Sequence, residues 1–160
     1  MEKEITLQDL KIEKATPKDW KSILDLMNKT DLAFWFTGNE SHDNFFVVKD
    51  NMKGGIICAF AIEHENKCGI LKSFATKIEL QGKGIGKYIV NSKITDLIKS
   101  LGISRLYAAS IEAPGFWQKT IFKEVKLEDI EDKYFLQYLN KFKDIVPNYY
   151  EQTHYFFLEI

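Results

Sequence analysis

Arginine is almost absent from this chain of 160 residues. Arg105 is the only arginine among 22 basic residues, and all the others are lysines. Because the guanidinium group is the side chain that binds phosphates and carboxylates in a bidentate manner, anion binding must depend on lysines and backbone amides. The formal net charge is −1, so there is no broad basic field for nucleic acid or for an anionic membrane. We therefore expect neither of these partners.

Long apolar runs and cysteines are also scarce. No run approaches the roughly 18 consecutive apolar residues of a membrane-spanning helix, and the amino-terminal segment MEKEITLQDL contains no apolar signal sequence. The two cysteines, Cys58 and Cys68, lie in strand-like runs, where we expect small core residues in a reducing compartment. These features predict a cytoplasmic protein, with the nucleus as the alternative.

What the chain has is a large apolar and aromatic content. Hydrophobic residues make up 45% of the sequence and aromatic residues 14%, which is enough for a packed core. There is no internal repeat, low-complexity tract or linker. Residues 1–160 are therefore predicted to form a single domain.

The apolar periodicity predicts alternating strands and helices. Thr16, Pro17 and Asp19 form a helix start, with a hydroxyl cap, a proline in the first turn and a carboxylate that can bond back. The predicted strands are 7–14, 45–49, 55–63, 68–77, 106–110, 121–125 and 155–158, and the predicted helices begin at Pro17 and span 84–100, 113–119 and 129–146. Three strands joined by short turns, then a strand–helix–strand unit, predict a mixed sheet with one parallel pair.

The segment at residues 81–87 joins a predicted strand to a predicted helix. Its three glycines allow left-handed backbone angles and a close approach of a ligand to the amides. At the start of the helix the first N–H groups have no intrahelical partner, and the peptide dipoles add positive charge there. Lys83 and Lys87 add two cations. The segment is therefore predicted to bind a phosphate or diphosphate.

Two familiar phosphate loops do not fit this segment. A P-loop requires G-x-x-x-x-G-K-[ST], but Gly82 and Gly86 are one residue too close, and Tyr88 occupies the place of the magnesium-binding hydroxyl. The dinucleotide fingerprint G-x-G-x-x-G begins at Gly84, but Ile89 replaces its third glycine. A nucleotide-binding regulator is therefore the least favoured interpretation.

The pattern that fits is Q/R-x-x-G-x-G/A, which is met by Gln81, Gly84 and Gly86. It resembles the pyrophosphate-binding motif of the GNAT superfamily of acyl-CoA-dependent N-acyltransferases. A second GNAT signature, A-x-x-F-Y-x-K-x-G-F, is approached by Ala113 and residues 116–122. The resemblance covers nearly the whole chain and implies an α/β (α+β) fold. That fold is a mixed, mostly antiparallel sheet flanked by helices, with a parallel central pair splayed around a CoA site.

The resemblance implies that acetyl-CoA is the acyl donor, and because the histidines show no metal-ligand spacing we expect no metal. In GNAT proteins the pantetheine arm enters a wedge between the fourth and fifth strands and hydrogen-bonds the main chain of the fourth. The cofactor-binding residues implied in this way are Phe74, Ala75, Thr76, Gln81, Gly82, Lys83, Gly84, Ile85, Gly86, Lys87, Ser110 and Trp117. Ser110 replaces a common asparagine of the family. Trp117 replaces the tyrosine that often protonates the leaving thiolate, and an indole cannot supply that proton.

Acyl transfer to an amine needs a base, because a lysine amine with a pKa of about 10.4 is protonated at neutral pH. Glu112 is the predicted base, since it follows the fifth strand at its carboxyl end. A solvated loop carboxylate is the alternative interpretation. Tyr149 is the predicted acid, with Tyr150 and Tyr107 as alternatives, although packing alone would also explain each of these phenols.

Three further groups bear on the chemistry. Glu79 is interpreted as a surface charge beside the loop. His154 titrates in a useful range, but no metal-ligand spacing joins it to another histidine. A backbone N–H near residues 74–76 is a candidate for stabilising the oxyanion.

The leading prediction is an N-acetyltransferase that transfers the acetyl group of acetyl-CoA to a primary amine of a small molecule or a peptide. The alternative is a catalytically weak CoA-binding module that acts through protein partners, which the tryptophan at position 117 favours. The aromatic segment 32–36 either completes the core or lines a groove for the acceptor. Aromatic residues on the late helix are compatible with a homodimer.

Overall fold

The computed structural model describes residues 5–36, 38, 40–50 and 53–160. Its strands are β1 (Ile12–Lys14), β2 (Phe45–Lys49), β3 (Ile56–Glu65), β4 (Cys68–Thr76), β5 (Arg105–Ser110), β6 (Lys123–Val125) and β7 (His154–Glu159). Its α-helices are α1 (Trp20–Lys29), α2 (Ile85–Ser92), α3 (Ile94–Ser100), α4 (Pro114–Gln118), α5 (Lys133–Asn140) and α6 (Tyr149–Gln152). Short 3-10 helices occur at Leu7–Asp9, Pro17–Asp19, Leu32–Trp35, His42–Asn44, Ile78–Leu80 and Leu127–Asp129. Among the residues so described, no helix has the length and apolar character needed to cross a bilayer.

The strands of the described chain form a seven-stranded sheet in the order β1-β2-β3-β4-β5-β7-β6. The pairs β1–β2, β2–β3, β5–β7 and β6–β7 are antiparallel, whereas β4 and β5 are parallel. The predicted mixed, mostly antiparallel sheet with one parallel pair is therefore confirmed. The β4–β5 ladder joins Cys68, Gly69 and Ile70 to Arg105, Leu106 and Tyr107, and each strand continues past it to its carboxyl end.

The chain divides into two compact units. The first comprises Met1–Ile62 and Lys72–Ile89, and the second comprises Glu63–Leu71 and Val90–Ile160. The glycine-rich segment and the carboxyl end of β4 belong to the first unit. The strands β5, β6 and β7 belong to the second, together with α4 and α5.

The core of the first unit is built around α1. The Thr16 N–H donates a hydrogen bond to Asp19 Oδ2 at 2.9 Å, which confirms the predicted capping box, and Pro17 begins the 3-10 turn that leads into the helix. Ile23 and Met27 are fully buried one helical turn apart. They belong to a core cluster with residues of β2, β3 and β4, namely Phe45, Val47, Ala59, Ala61 and Ala75.

In the second unit, α5 and α4 cover opposite faces of the strands β5 and β7. Tyr107 stacks on Phe135 of α5 with ring centroids 4.5 Å apart, and on Phe157 of β7 at 4.8 Å. Phe156 points to the other face, because successive residues of a strand alternate, and its ring lies 6.2 Å from that of Trp117 in α4.

The bounds of three predicted elements differ most from the observed ones. The strand predicted at 7–14 is reduced to Ile12–Lys14, because the Leu10 N–H bonds locally to the Leu7 carbonyl at 3.1 Å. The helix predicted at 84–100 is divided at Lys93, whose φ of −123° lies outside the helical region. The helix predicted at 129–146 is confined to Lys133–Asn140 and begins after Asp132, whose backbone is extended.

Candidate functional site

The segment between β4 and α2 has the left-handed backbone that its glycines were predicted to allow. Gly82 has a φ of +81° and Gly84 a φ of +82°, angles that cost an L-residue energy because of its Cβ. Both glycines are exposed, as are Gln81, Lys83 and Lys87. Gly86 lies in the first turn of α2. The loop therefore presents its backbone to solvent at the amino end of a helix.

The amides of residues 82–87 are available to a ligand. The Tyr88 N–H donates to the Gly84 carbonyl at 3.0 Å, and this is where the intrahelical ladder begins. Within the described ranges, no amide of residues 82–87 donates a backbone–backbone hydrogen bond. Unpaired N–H groups at the positive end of a helix form an anion-binding site.

Gln81 closes the loop onto the end of β4. Its Nε2 donates to the Thr76 carbonyl at 3.0 Å, so the side chain predicted to bind the cofactor already has a partner within the protein. The bond spans the 3-10 turn at Ile78–Leu80. It fixes the point at which the chain leaves the strand and enters the glycine-rich segment.

A groove of about 360 Å³ lies beside the loop in the first unit. Lys53, Lys77 and Lys83 contribute cations to its lining. Glu79 also lines it and lies 3.3 Å from Lys77 Nζ. The pKa of the Glu79 carboxyl is held below its usual value, first by a hydrogen bond from its own backbone and then by Lys77. The remaining lining residues are Ile5, Asp50, Gly55, Ile57 and Leu80.

The carboxyl end of β4 is irregular where the sequence predicted main-chain contacts to the cofactor. Ser73 has a φ of +54°, which interrupts the extended strand in the manner of a β-bulge. Beyond it, Phe74 stacks on Phe60 at 5.4 Å, Ala75 is buried in the core, and Thr76 Oγ1 lies 3.9 Å from the Cys58 sulfur. Packing within the first unit therefore holds these three side chains.

Burial explains the state of both cysteines. Cys58 and Cys68 are free and buried, which confirms the prediction that they are core residues. Burial raises the pKa of the Cys58 thiol to about 12 and that of Cys68 to about 11. Both therefore remain protonated at neutral pH and do not act as nucleophiles.

In the second unit, Ser110 ends β5 and organises the turn that follows. Its Oγ accepts a hydrogen bond from the Ala113 N–H at 3.0 Å, immediately before α4 begins at Pro114. The predicted base, Glu112, lies in this turn. It is exposed and has no hydrogen bond or ion pair within the described ranges of the chain.

Two aromatic residues with predicted roles are buried in the second unit. The ring of Trp117 lies 5.2 Å from that of Phe122 in an edge-to-face contact, and only 7% of its surface is exposed. Tyr149, the predicted acid, is 4% exposed and packs against Phe142. Burial raises the pKa of the Tyr149 phenol far above its ordinary value. The roles of Trp117 and Tyr149 stay predictions.

The predicted alternatives to Tyr149 differ in their surroundings. The Tyr107 hydroxyl donates to Asp132 Oδ2 at 2.6 Å, and burial followed by this bond raises its pKa well above the usual value. Tyr150 is half-buried, and its hydroxyl lies 3.4 Å from Asn140 Oδ1. Tyr107 is thus committed to a structural hydrogen bond.

One polar cluster in the second unit was not found from the sequence. His154 Nδ1 lies 2.8 Å from Glu124 Oε2, and Gln118 Nε2 donates to Glu124 Oε1 at 2.9 Å. From the sequence, His154 was considered as a titratable group and as a metal ligand, whereas Glu124 and Gln118 had no predicted role. The available signal was the alternation of residues along β6 and β7. It places Glu124 and His154 on one face of the sheet once these two strands are paired.

Solved structures with the same fold include an N-acetylglutamate synthase and a GNAT-family acetyltransferase. The chain is similar to N-acetylglutamate synthase from Neisseria gonorrhoeae, complexed with coenzyme A and N-acetyl-glutamate, with a TM-score of 0.72, 18% identity and coverage of 98% of this chain and 36% of that one. It is similar to a Mycobacterium tuberculosis protein in complex with CoA, with a TM-score of 0.68, 15% identity and coverage of 94% and 99%. For a GNAT-family acetyltransferase from Staphylococcus aureus the TM-score is 0.61, the identity 14% and the coverage 91% and 97%.

These likenesses establish the fold. The chain has the GNAT fold that the motifs at residues 81–86 and 113–122 predicted. It spans about a third of the length of the gonococcal synthase, as the 36% coverage states. No protein-family model matches the sequence, and no curated protein matches it.

Proposed function

We propose that this protein is an acetyl-CoA-dependent N-acetyltransferase whose acceptor is a primary amine of a small molecule or a peptide. The observation that carries the proposal is the set of amides at residues 82–87, at the start of α2, none of which donates a backbone–backbone hydrogen bond in the described chain. In a chain with the GNAT fold, this is the place at which the family motif holds the diphosphate of CoA.

The first unit supplies the binding contacts in this proposal. The loop amides donate hydrogen bonds to the diphosphate oxygens, and Lys83 and Lys87 add positive charge at the same helix end. The main chain of residues 74–76 would hydrogen-bond the amides of the pantetheine arm, as the family resemblance implies. No arginine is required, because amides and lysines supply the whole anion site.

Placement accounts for much of the expected rate enhancement. An amine that is held beside the thioester reacts as if both groups belonged to one molecule. The entropy cost of bringing the two reactants together is then offset by binding. A solved structure with a similar fold supports an amine acceptor, since it is an N-acetylglutamate synthase complexed with coenzyme A and N-acetyl-glutamate. Which amine this chain accepts depends on contacts outside the loop.

The test combines binding with turnover. Acetyl-CoA should bind in the micromolar range by calorimetry, and incubation with a panel of small amines and peptides should release free CoA thiol. Each acceptor should gain one acetyl group, detected by mass spectrometry. Failure to bind CoA or acetyl-CoA at micromolar concentrations would end the proposal.

A second candidate, a catalytically weak CoA-binding module, is favoured by Trp117. A buried indole stands where the family often has a tyrosine that protonates the leaving thiolate. This candidate predicts that acetyl-CoA binds with micromolar affinity and that no acceptor is acetylated. The same two measurements therefore separate the module from the enzyme.

A further inference from the structure

An ion pair of low exposure joins β4 to the segment that precedes β2. Lys72 Nζ, on β4, lies 4.0 Å from Glu40 Oε1, and the exposed fractions of the two side chains are 11% and 6%. Glu40 Oε2 also accepts a hydrogen bond from the Gly38 N–H at 2.9 Å. Apolar residues of the segment 32–36 pack against the core cluster that contains Ala75. Packing and the ion pair together therefore hold this segment against β4.

Two consecutive residues of β4 carry features that cost free energy. Lysine and glutamate are rarely buried unless they are paired, and the attraction between Lys72 and Glu40 does not always repay the removal of both charges from water. The next residue, Ser73, has a φ of +54°, in a region that is unfavourable for a residue with a Cβ. Backbone strain of this kind occurs most often where a ligand is bound. This point of β4 is therefore a candidate for recognition of a charged ligand.

The pair lies in the same compact unit as the proposed CoA site. Lys72, Glu40, the main chain of residues 74–76 and the amides of residues 82–87 all belong to the first unit. In the proposed function the diphosphate lies at the loop that follows β4, and the pantetheine arm runs back along residues 76 to 74. At about 3.3 Å per residue, Lys72 lies about 7 Å further along the strand than Phe74. The thioester end of the arm would therefore approach the pair.

The two charges together select the kind of acceptor. A ligand with an ammonium group alone is attracted by Glu40 and repelled by Lys72, whereas a ligand with a carboxylate alone experiences the reverse. A ligand with both groups matches both charges. The separation of 4.0 Å exceeds the roughly 2.7–2.9 Å of a charge-assisted hydrogen bond, so the two side chains are not locked into a direct bond with each other.

We propose that the acceptor is an amine that carries a carboxylate near its nitrogen, as an α-amino acid does. Glu40 binds its ammonium group and Lys72 binds its carboxylate. This inference rests on the proposed transferase and narrows the class of its acceptor. In the complex, each member of the pair exchanges part of its contact with the other for a ligand group of opposite charge. Glu40 thus holds the acceptor nitrogen near the thioester.

The test compares each standard α-amino acid with its C-terminal amide, which keeps the amine but lacks the negative charge. For the wild type, kcat/KM of the best amino acid should exceed that of its amide by about tenfold or more. Lys72→Gln should bring this ratio close to one, and Lys72→Arg, which keeps the charge, should retain it. Glu40→Gln should lower kcat/KM for both acceptors and leave the affinity for CoA unchanged.

Lys29→Gln is the matched control, because it removes the cation of another ion pair in the first unit, that of Lys29 Nζ with Asp25 Oδ2 at 3.0 Å. Its ratio should equal that of the wild type. A wild-type ratio near one, or a ratio that Lys72→Gln leaves unchanged, would overturn the inference while the proposed transferase stands. If the wild type acetylates no amine, the transferase fails and the inference fails with it. Should Lys72→Gln be inactive because it misfolds, the wild-type ratio still decides.

Discussion

The geometry of the loop depends on single residues that have no side chain. Gly82 and Gly84 each have a positive φ, and a Cβ placed on either would meet no atom within 4 Å. The obstacle to substitution is thus the backbone conformation and not space. Because the proposed diphosphate site consists of the amides around these glycines, we expect a substitution that disturbs the backbone here to weaken ligand binding as well.

We predict that Gly84→Ala will cost about 1 kcal/mol of unfolding free energy, the order of the left-handed penalty for an L-residue, and will weaken CoA binding at least tenfold. Relief of the strain turns the loop amides away from the diphosphate. Chemical denaturation and calorimetry measure the two effects. Gly102→Ala is the matched control, since Gly102 has a φ of +77° with the same open surroundings, but lies after α3. Equal loss of CoA affinity in both variants would contradict the coupling.

The sequence predicted which residues shape the loop, but it did not predict the contacts that side chains make with distant parts of the chain. The motif identified the glycines because local backbone angles depend on neighbours in the chain. The partners of Trp117 and His154 could not be predicted, because Phe156 and Glu124 are brought to them only by strand pairing. The hydrogen bond from Gln81 to Thr76 likewise depends on how the intervening turn folds.

At the scale of elements, Asp132 shows how tertiary contacts override helical periodicity. The apolar spacing extends from 129 to 146, but the helix begins only at Lys133. Arg105 Nη2 donates to Asp132 Oδ1 at 2.9 Å, and its Nε lies 3.1 Å from each oxygen. These bonds, with that from Tyr107, hold Asp132 against β5 and leave its backbone extended. The only arginine of the sequence therefore makes this structural contact with Asp132 and does not serve to bind a phosphate.

We predict that Asp132→Asn will lower the free energy of unfolding by about 2 kcal/mol at pH 7, because hydrogen bonds to a charged group are lost. The Arg105 bonds, more than any other contact, hold the pKa of the Asp132 carboxyl below its usual value. Its contribution is therefore complete above the unfolded pKa of about 3.9 and is lost as the pH falls through the lower folded value.

Urea denaturation of the wild type and Asp132→Asn between pH 7 and pH 3 measures this effect. The difference between them should be largest at neutral pH and should shrink below about pH 4. Asp25→Asn serves as the control, because its ion pair with Lys29 is exposed at 63% and 65% and is expected to contribute less than about 0.5 kcal/mol. A pH-independent difference for Asp132→Asn would contradict the ionic origin of the stabilisation.

At the scale of the whole molecule, the sequence predicted the order of elements and the kind of sheet. The strand–helix–strand unit at residues 68–110 fixed the parallel pair, and the short turns fixed the antiparallel strands. What could not be predicted was where elements end, since Lys93 and Asp132 interrupt patterns that are continuous in the sequence. The proposed role of the loop is supported by the same fold in solved acetyltransferases, whereas the motif does not predict the identity of an acceptor.

The most direct test of the central claim is to follow the backbone amides of residues 82–87 by ¹H–¹⁵N NMR during a titration with CoA. If the loop binds the diphosphate, these amide signals should shift together and saturate in the micromolar range, and pantetheine, which lacks the diphosphate, should leave them in place. CoA binding that saturates while these amides do not move, or the absence of any binding, would contradict it.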